Sequence, residues 1–405
     1  MDEKEKKLEE EQIEEEEQEE SIDNEEEFTY TIDNNGINND YNKNDYQKKS
    51  MIYILIGVGF LFLIIVSIIV FVNKKEKKVS KYSEIEEKLV IAAKRYYEKY
   101  PEQLPQIEGN KISIDAEKLI ENSYLKPFSE MVEENVKCTG TVKIYKNEKE
   151  YAYFPFLNCG QDYKSIKFNE KIIEDNLTTT KDGIYKINNE YVFRGEYPNN
   201  YIKFDKKIWR IIKINEDESI QMMLIEKKPE KTKWDDRYNN EFKGYSGKND
   251  FRISRILDYL QKSYEKNTYI SETNKKILTK HKLCIGKISE YETPISELNV
   301  CTETYDDLYI GLLTAKDVLI PSLDENCKST YDISCTNYNY FNSIDIGWTS
   351  NASFQKSNKV YSSSRGAIVS KEASNNNTIR PVININGDVL YKNGKGTEEE
   401  PYVIE

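Results

Sequence analysis

The sequence predicts an α+β protein carried on a single transmembrane helix. A small helix-plus-hairpin module follows, then a larger, mainly antiparallel β domain with a few helices. Three observations predict this. An uncharged run, Met51–Asn73, reads M-I-Y-I-L-I-G-V-G-F-L-F-L-I-I-V-S-I-I-V-F-V-N between lysines. Helical spacing from Ser83 to Tyr100 gives way to two-residue alternation ending at Cys159. Beyond Gly183 come several short apolar runs at close spacing, the pattern of an antiparallel sheet.

Residues 1–50 form an acidic tail. Its first thirty residues hold sixteen Asp and Glu against three Lys, which equals the whole net charge of −13. The rest of the chain therefore carries 55 charges of each sign, from totals of 71 acidic and 58 basic. The tail buries too little apolar surface to offset the entropy of ordering, so it is expected to be disordered. It reads as a solvated spacer or as a docking tail for a basic partner. The remainder is neutral and has no basic domain, so nothing points to nucleic acid.

At about 1.5 Å per residue the run 51–73 makes a helix about 34 Å long, enough to cross a hydrocarbon core of about 30 Å. Fifty polar residues precede it, which argues against a cleaved signal peptide. The lipid bilayer is thus the first expected partner. Orientation rests on two opposed signals. Lys74, Lys75, Lys77 and Lys78 outnumber Lys48 and Lys49, which places the C-terminal side in the cytoplasm. The cysteines point the other way.

All six cysteines follow the apolar run: Cys138, Cys159, Cys284, Cys301, Cys327 and Cys335. They form three neighbouring pairs with no C-x-x-C, and His281 is the one histidine, so a zinc site is not indicated. Three local disulfides in an oxidising compartment account for parity and clustering; the alternative is six reduced thiols in a cytoplasmic domain. The expected topology is a cytoplasmic N-terminal tail and an extracellular C-terminal part.

The module 74–160 opens with a helix over Ser83–Tyr100, with Ile85, Leu89, Ala92, Tyr96 and Tyr100 on one face and Pro101 ending it. Only nine residues separate it from the apolar run, so it reads as a stalk of coiled-coil type continuing that helix. A second short helix is expected at Asp115–Asn122. A hairpin follows, turning near Lys146-Asn147-Glu148, with Cys138 and Cys159 at its outer ends. Residues 161–182 are polar and read as a linker.

The domain 183–405 begins with strands at 184–187, 191–193, 201–204, 208–214 and 219–225. Helices are expected at Phe251–Tyr264 and at Leu312–Leu319, capped by Thr314. Trp209 is expected in the core, Arg380 beneath the final long strand, and Gly394 and Gly396 in a closing turn with positive φ.

Two resemblances arise from these strings. The apolar run, its amphipathic extension, L-I-E-N-S-Y-L-K-P and the C-x-G-x-V…Y…L-N-C hairpin resemble the pilin-like (pseudopilin-type) ectodomains of low-GC Gram-positive bacteria, over residues 51–159. The long tail and the lack of an acidic residue within Met51–Asn73 depart from that family, so no polymerisation is implied. Then I-W-R-I-I-K-I, Y-I-G-L-L-T-A, I-G-W-T-S, R-P-V-I-N-I and G-K-G-T-E-E-E-P-Y-V-I are similar to a family of bacterial surface-protein domains without an assigned function. Some features of those domains resemble C-type-lectin-like folds. Neither resemblance carries catalytic residues over.

Motifs for catalysis are scarce. There is no G-x-S-x-G, and G-Y-S-G-K-N (244–249) and G-K-G-T (394–397) lack phosphate-loop spacing. Asp235, Asp236, Asn239, Asn240 and Asp250 lack the oxygen order of a calcium loop, so no metal or other cofactor is expected. The order His281, Cys335, Arg365 is similar to that of sortase thiol transpeptidases, in which a thiolate attacks a peptide carbonyl. A Cys327–Cys335 disulfide would consume that thiol, and Lys280 and Lys282 place His281 in an exposed turn. The expectation is a non-catalytic extracellular binding or adhesion domain for an unknown ligand or surface partner, with 31 tyrosines suited to contact faces. The alternative is a cell-envelope enzyme of the thiol-transpeptidase kind.

Overall fold

The computed structural model describes residues 53, 58, 64–68, 81–236, 249–289, 301–324, 327, 339–364 and 367–405. The chain divides into two compact units, Met1–Lys75 and Glu76–Glu405. In the first, the described residues are helical and exposed. No helix among the described residues is long and apolar enough to cross a membrane. The run Met51–Asn73, which carries the expectation of a membrane span, lies mostly outside them, and the acidic tail 1–50 wholly so.

The second unit is a mixed α+β structure with mostly antiparallel sheets and few helices, as the sequence predicts. Its first helix, α1 (81–99), buries Tyr82, Ile85, Leu89, Ala92, Ala93, Tyr96 and Tyr97 along one face. That face lies on a three-stranded antiparallel sheet of β1 (Lys111–Asp115), β2 (Thr139–Lys146) and β3 (Tyr151–Asn158), with α2 (Ala116–Glu121) between the first two strands. β1 is an addition to the expected hairpin. A Cβ on Gly140 would stand 3.0 Å from the Phe128 ring and 3.1 Å from Leu89, so the helix reaches the sheet because this position has no side chain. A disulfide joins Cys138 and Cys159 across the outer ends of the hairpin.

The stretch 161–182, read from composition as a linker, carries α3 (Phe168–Asn176). Phe168 and Ile172 are fully buried in the larger core, with Phe168 packed edge-on against Tyr402. Phe168 and Ile172 at i and i+4, with Ile173 packed beside them, dock a short helix whose other residues are polar.

The larger core surrounds a nine-stranded sheet. Its strands are β4 (Gly183–Ile187), β5 (Glu190–Arg194), β6 (Tyr201–Phe204), β7 (Lys207–Ile214), β8 (Ile220–Leu224), β10 (Leu278–Thr279), β17 (Val382–Ile385), β18 (Tyr391–Asn393) and β19 (Tyr402–Ile404). The main path runs β10-β17-β8-β7-β6-β19-β18, and the β4–β5 hairpin joins through β7. Every pairing is antiparallel except β19 on β6. Smaller sheets pair β9 (Lys231–Lys233) with β16 (Asn376–Thr378), β11 (His281–Cys284) with β12 (Thr304–Leu308), and β13 (Gly347–Ala352), β14 (Lys359–Ser364) and β15 (Ala367–Glu372) in order. Trp209, Trp234 and Trp348 are all buried, and each indole N–H donates to a backbone carbonyl.

Helix α4 (Arg255–Glu265) starts at Ser254, whose side chain accepts from the Leu257 amide. A short α5 (Glu272–Lys275) precedes β10. Helix α6 (Ala315–Leu319) is shorter than the expected Leu312–Leu319 and starts at the expected cap, Thr314, which forms a capping box with Asp317. Arg380 is buried and donates to the carbonyls of Asp345, Leu224 and Glu226. Gly394 and Gly396 have φ of 96° and 76°.

The helix-and-hairpin module and the large sheet belong to one unit, held by specific polar contacts. The turn residue Asn147 is buried; its Nδ2 donates to the carbonyls of Lys275 and Leu278, each at 2.9 Å. Its Oδ1 accepts from the Tyr309 hydroxyl at 2.9 Å. The buried Asp388 carboxylate meets Lys143 at 2.7 Å and Lys167 at 3.2 Å. Burial alone would raise its pKa, but the lysines outweigh this and hold it below the ordinary carboxylate value.

Candidate ligand-binding site

Strand register sorts the large sheet into rows. Leu278 lies opposite Ile385, Ile385 opposite Ile220, and Ile220 opposite Ile214. These four are almost wholly buried and form an apolar row on one face. One step along each strand the face reverses. There Thr279 lies opposite Asn384, Asn384 opposite Gln221, and Gln221 opposite Lys213. The alternation I-K-I, I-Q-M and I-N-I thus places four polar side chains abreast on the other face.

Above this row lies a cavity of about 540 Å³, walled by Lys213, Gln221, His281, Thr314, Asp317 and Asn384 among others. The Lys213 ammonium is 2.9 Å from Glu190 and 3.7 Å from Asp317. Burial alone would lower its pKa; the two carboxylates outweigh that and hold it above the ordinary lysine value. Asp317 is positioned by the cap of α6: its Oδ2 accepts from the Thr314 amide at 2.9 Å and hydroxyl at 2.7 Å. Its Oδ1 is the oxygen nearest Lys213.

His281 is 2% exposed. Its pKa is pushed down to about 4, first by burial and then by Lys213, against opposing contributions from Asp317 and nearby backbone groups. The ring is therefore neutral at pH 7. This corrects the expectation of an exposed turn. His281 is a strand residue of β11 that points inward between outward-facing Lys280 and Lys282.

The polar face is incompletely satisfied. His281 Nε2, Gln221 Oε1, Asn384 Oδ1 and Thr279 Oγ1 are all buried without a hydrogen-bond partner. Each such group costs about 1–3 kcal/mol. Gln221, Asn384 and Thr279 share one face of the large sheet and His281 stands on β11; of the four, Gln221, Asn384 and His281 line the cavity, and there the fold gives up stability.

A second cleft of about 510 Å³ lies where the hairpin turn meets α4 and β12. The rings of Tyr264 and Tyr309 stack there at 5.2 Å. The ammonium groups of Lys275 and Lys280 stand 4.4 Å and 5.5 Å from those ring centres. Its polar groups are largely engaged in the joint around Asn147, and Lys280 lines both cavities.

The residues singled out from sequence are scattered. Disulfides join Cys138 to Cys159 and Cys284 to Cys301; Cys327 is also disulfide-bonded, and there is no free thiol among the described cysteines. Cys335, Arg365, Asn239 and Asn240 lie outside the described residues. Asp236 pairs with Arg255, and Asp250 with Arg252. Among the described residues no three His, Cys, Asp or Glu side chains are grouped to hold a metal. Lys213, Gln221 and Asn384 escaped sequence reasoning. Their signal was a lone polar residue inside each apolar strand. No family model, curated protein or solved structure matches this chain.

Proposed function

We propose that the chain is a single-pass membrane-anchored bacterial surface protein whose C-terminal unit binds a small polar ligand without transforming it. The carrying observation is the cavity above Lys213, Gln221 and Asn384, with unmade hydrogen bonds beneath it. Polar groups converging on one concavity are what a binding pocket requires. The apolar run Met51–Asn73 supports the anchor, and the two local disulfides support an oxidising exterior. The thiol-transpeptidase alternative gains nothing: every described cysteine is disulfide-bonded.

The test is topological and chemical. Protease added to intact cells making the full chain is expected to clip Glu76–Glu405. Thiol titration of the denatured protein is expected to count zero. Resistance of that unit until the cells are lysed overturns the surface reading. A reactive thiol reopens the enzymatic one.

A further inference from the structure

The binding role just stated leaves the ligand's chemistry open, and the polar row narrows it. Lys213, Gln221, Asn384 and Thr279 stand on four neighbouring strands, so their side chains are spaced at about 4.8 Å across the sheet. Charge is already balanced: the lining holds Lys213, Lys280, Lys282 and Lys316 against Glu190, Glu216, Asp217 and Asp317, and Glu190 and Asp317 flank the Lys213 ammonium. A charged ligand would have to displace one of those partners and strand the other. The unmade bonds belong to uncharged groups: two amide oxygens, a hydroxyl and an imidazole nitrogen. A hydroxyl donates and accepts, so it serves such a row whichever way the two amides are turned. The cavity, about 540 Å³, falls within the range of small-molecule sites. We propose, on the footing of that binding role, that this pocket takes a neutral polyhydroxylated ligand, a sugar or a sugar alcohol. Its hydroxyls complete the bonds that Gln221, Asn384 and His281 leave unmade.

The experiment is calorimetric titration of the full chain in phospholipid nanodiscs, which bring no sugar headgroups. The probes are glucose, N-acetylglucosamine and ribitol as neutral members, with glucuronate and glucosamine as charged ones. Saturable binding of a neutral member is expected. The double variant Gln221→Leu/Asn384→Leu is expected to weaken it at least tenfold while melting no lower than the wild type, because removing unpartnered buried polar groups does not cost stability. Asn384→Asp, nearly isosteric, is a second variant that keeps the test alive if the double variant does not fold; it too is expected to weaken binding at least tenfold. Tyr197→Ala, a change at an exposed side chain, is expected to leave binding unmoved.

Binding confined to the charged probes, and lost in the pocket variants, overturns the ligand class while the binding role stands. Neutral binding that the pocket variants leave intact overturns the site. A cooperatively melting chain that binds no probe overturns the class. A C-terminal unit protected from protease on intact cells overturns the surface role itself, whatever the titrations show.

Discussion

Glu86 gives the sharpest quantitative test of how this fold is held together. It lies on α1, is 2% exposed, and accepts hydrogen bonds from the hydroxyls of Ser165 and Tyr163. Burial pushes its pKa up from 4.5 to about 7, against the pull of those two bonds. The folded state thus holds this proton more tightly than the unfolded chain does. Stability from Glu86 is fully present below pH 4.5 and is lost as pH rises through 7. At about 1.4 kcal/mol per pKa unit, the loss approaches about 3 kcal/mol by pH 8. Glu86→Gln removes the titration. Its amide can still bond both hydroxyls, since each hydroxyl donates and accepts. The variant is expected to match the wild type near pH 4.5 and to exceed it by about 3 kcal/mol at pH 8. Urea titrations of both proteins across pH 4.5–8.5 measure this, and the difference between them cancels every other titrating group. A difference that does not change with pH refutes burial as the force acting on Glu86.

His281 titrates in the opposite sense. Its folded pKa lies below its unfolded value, so the stability it carries is present above pH 6.5 and is lost as pH falls towards 4; His281→Leu should flatten that limb of the acid denaturation curve. Replacing Cys138 and Cys159 by serine opens a loop of 21 residues, and the melting curve should register a loss of about 3 kcal/mol. Asn147→Ala strands the carbonyls of Lys275 and Leu278, while the Tyr309 hydroxyl keeps its bond to Glu108; a cost of about 2–4 kcal/mol is expected in urea denaturation, with faster amide exchange along 278–284.

Much of the architecture was legible because it obeys local rules. Helix α1 announces itself by apolar spacing and Pro101, the hairpin by alternation between two cysteines, and α6 by its cap, Thr314. The candidate site was not legible, for a topological reason. Thr279, Asn384, Gln221 and Lys213 become neighbours only because β17 lies between β10 and β8, an order unrelated to the order of the chain. Each strand displays its lone polar residue, but nothing local says that three other strands will set theirs beside it. His281 failed differently. K-H-K-L-C reads as charged and exposed by composition, yet by period it reads out, in, out, in, and the period was the better guide. Helix α3 was hidden because only Phe168, Ile172 and Ile173 are apolar in it, and two of its buried residues, Asn169 and Asn176, are polar.

The joint and the candidate site meet on one strand. β10 has two residues and lies at the edge of the large sheet. Leu278 points into the core, and its carbonyl is held by Asn147 from the hairpin turn. Thr279, next along the chain, closes the polar row, and Lys280 after it lines both cavities. So short a strand has little pairing of its own to fix its register, and a slip of one residue would exchange Leu278 with Thr279 between faces. The Asn147 side chain supplies that missing constraint from outside the sheet. The first module is therefore more than a neighbour of the large sheet. Its hairpin turn pins the edge strand on which the row of polar groups depends, and residues of β2, β3 and α3 share one core with the large sheet.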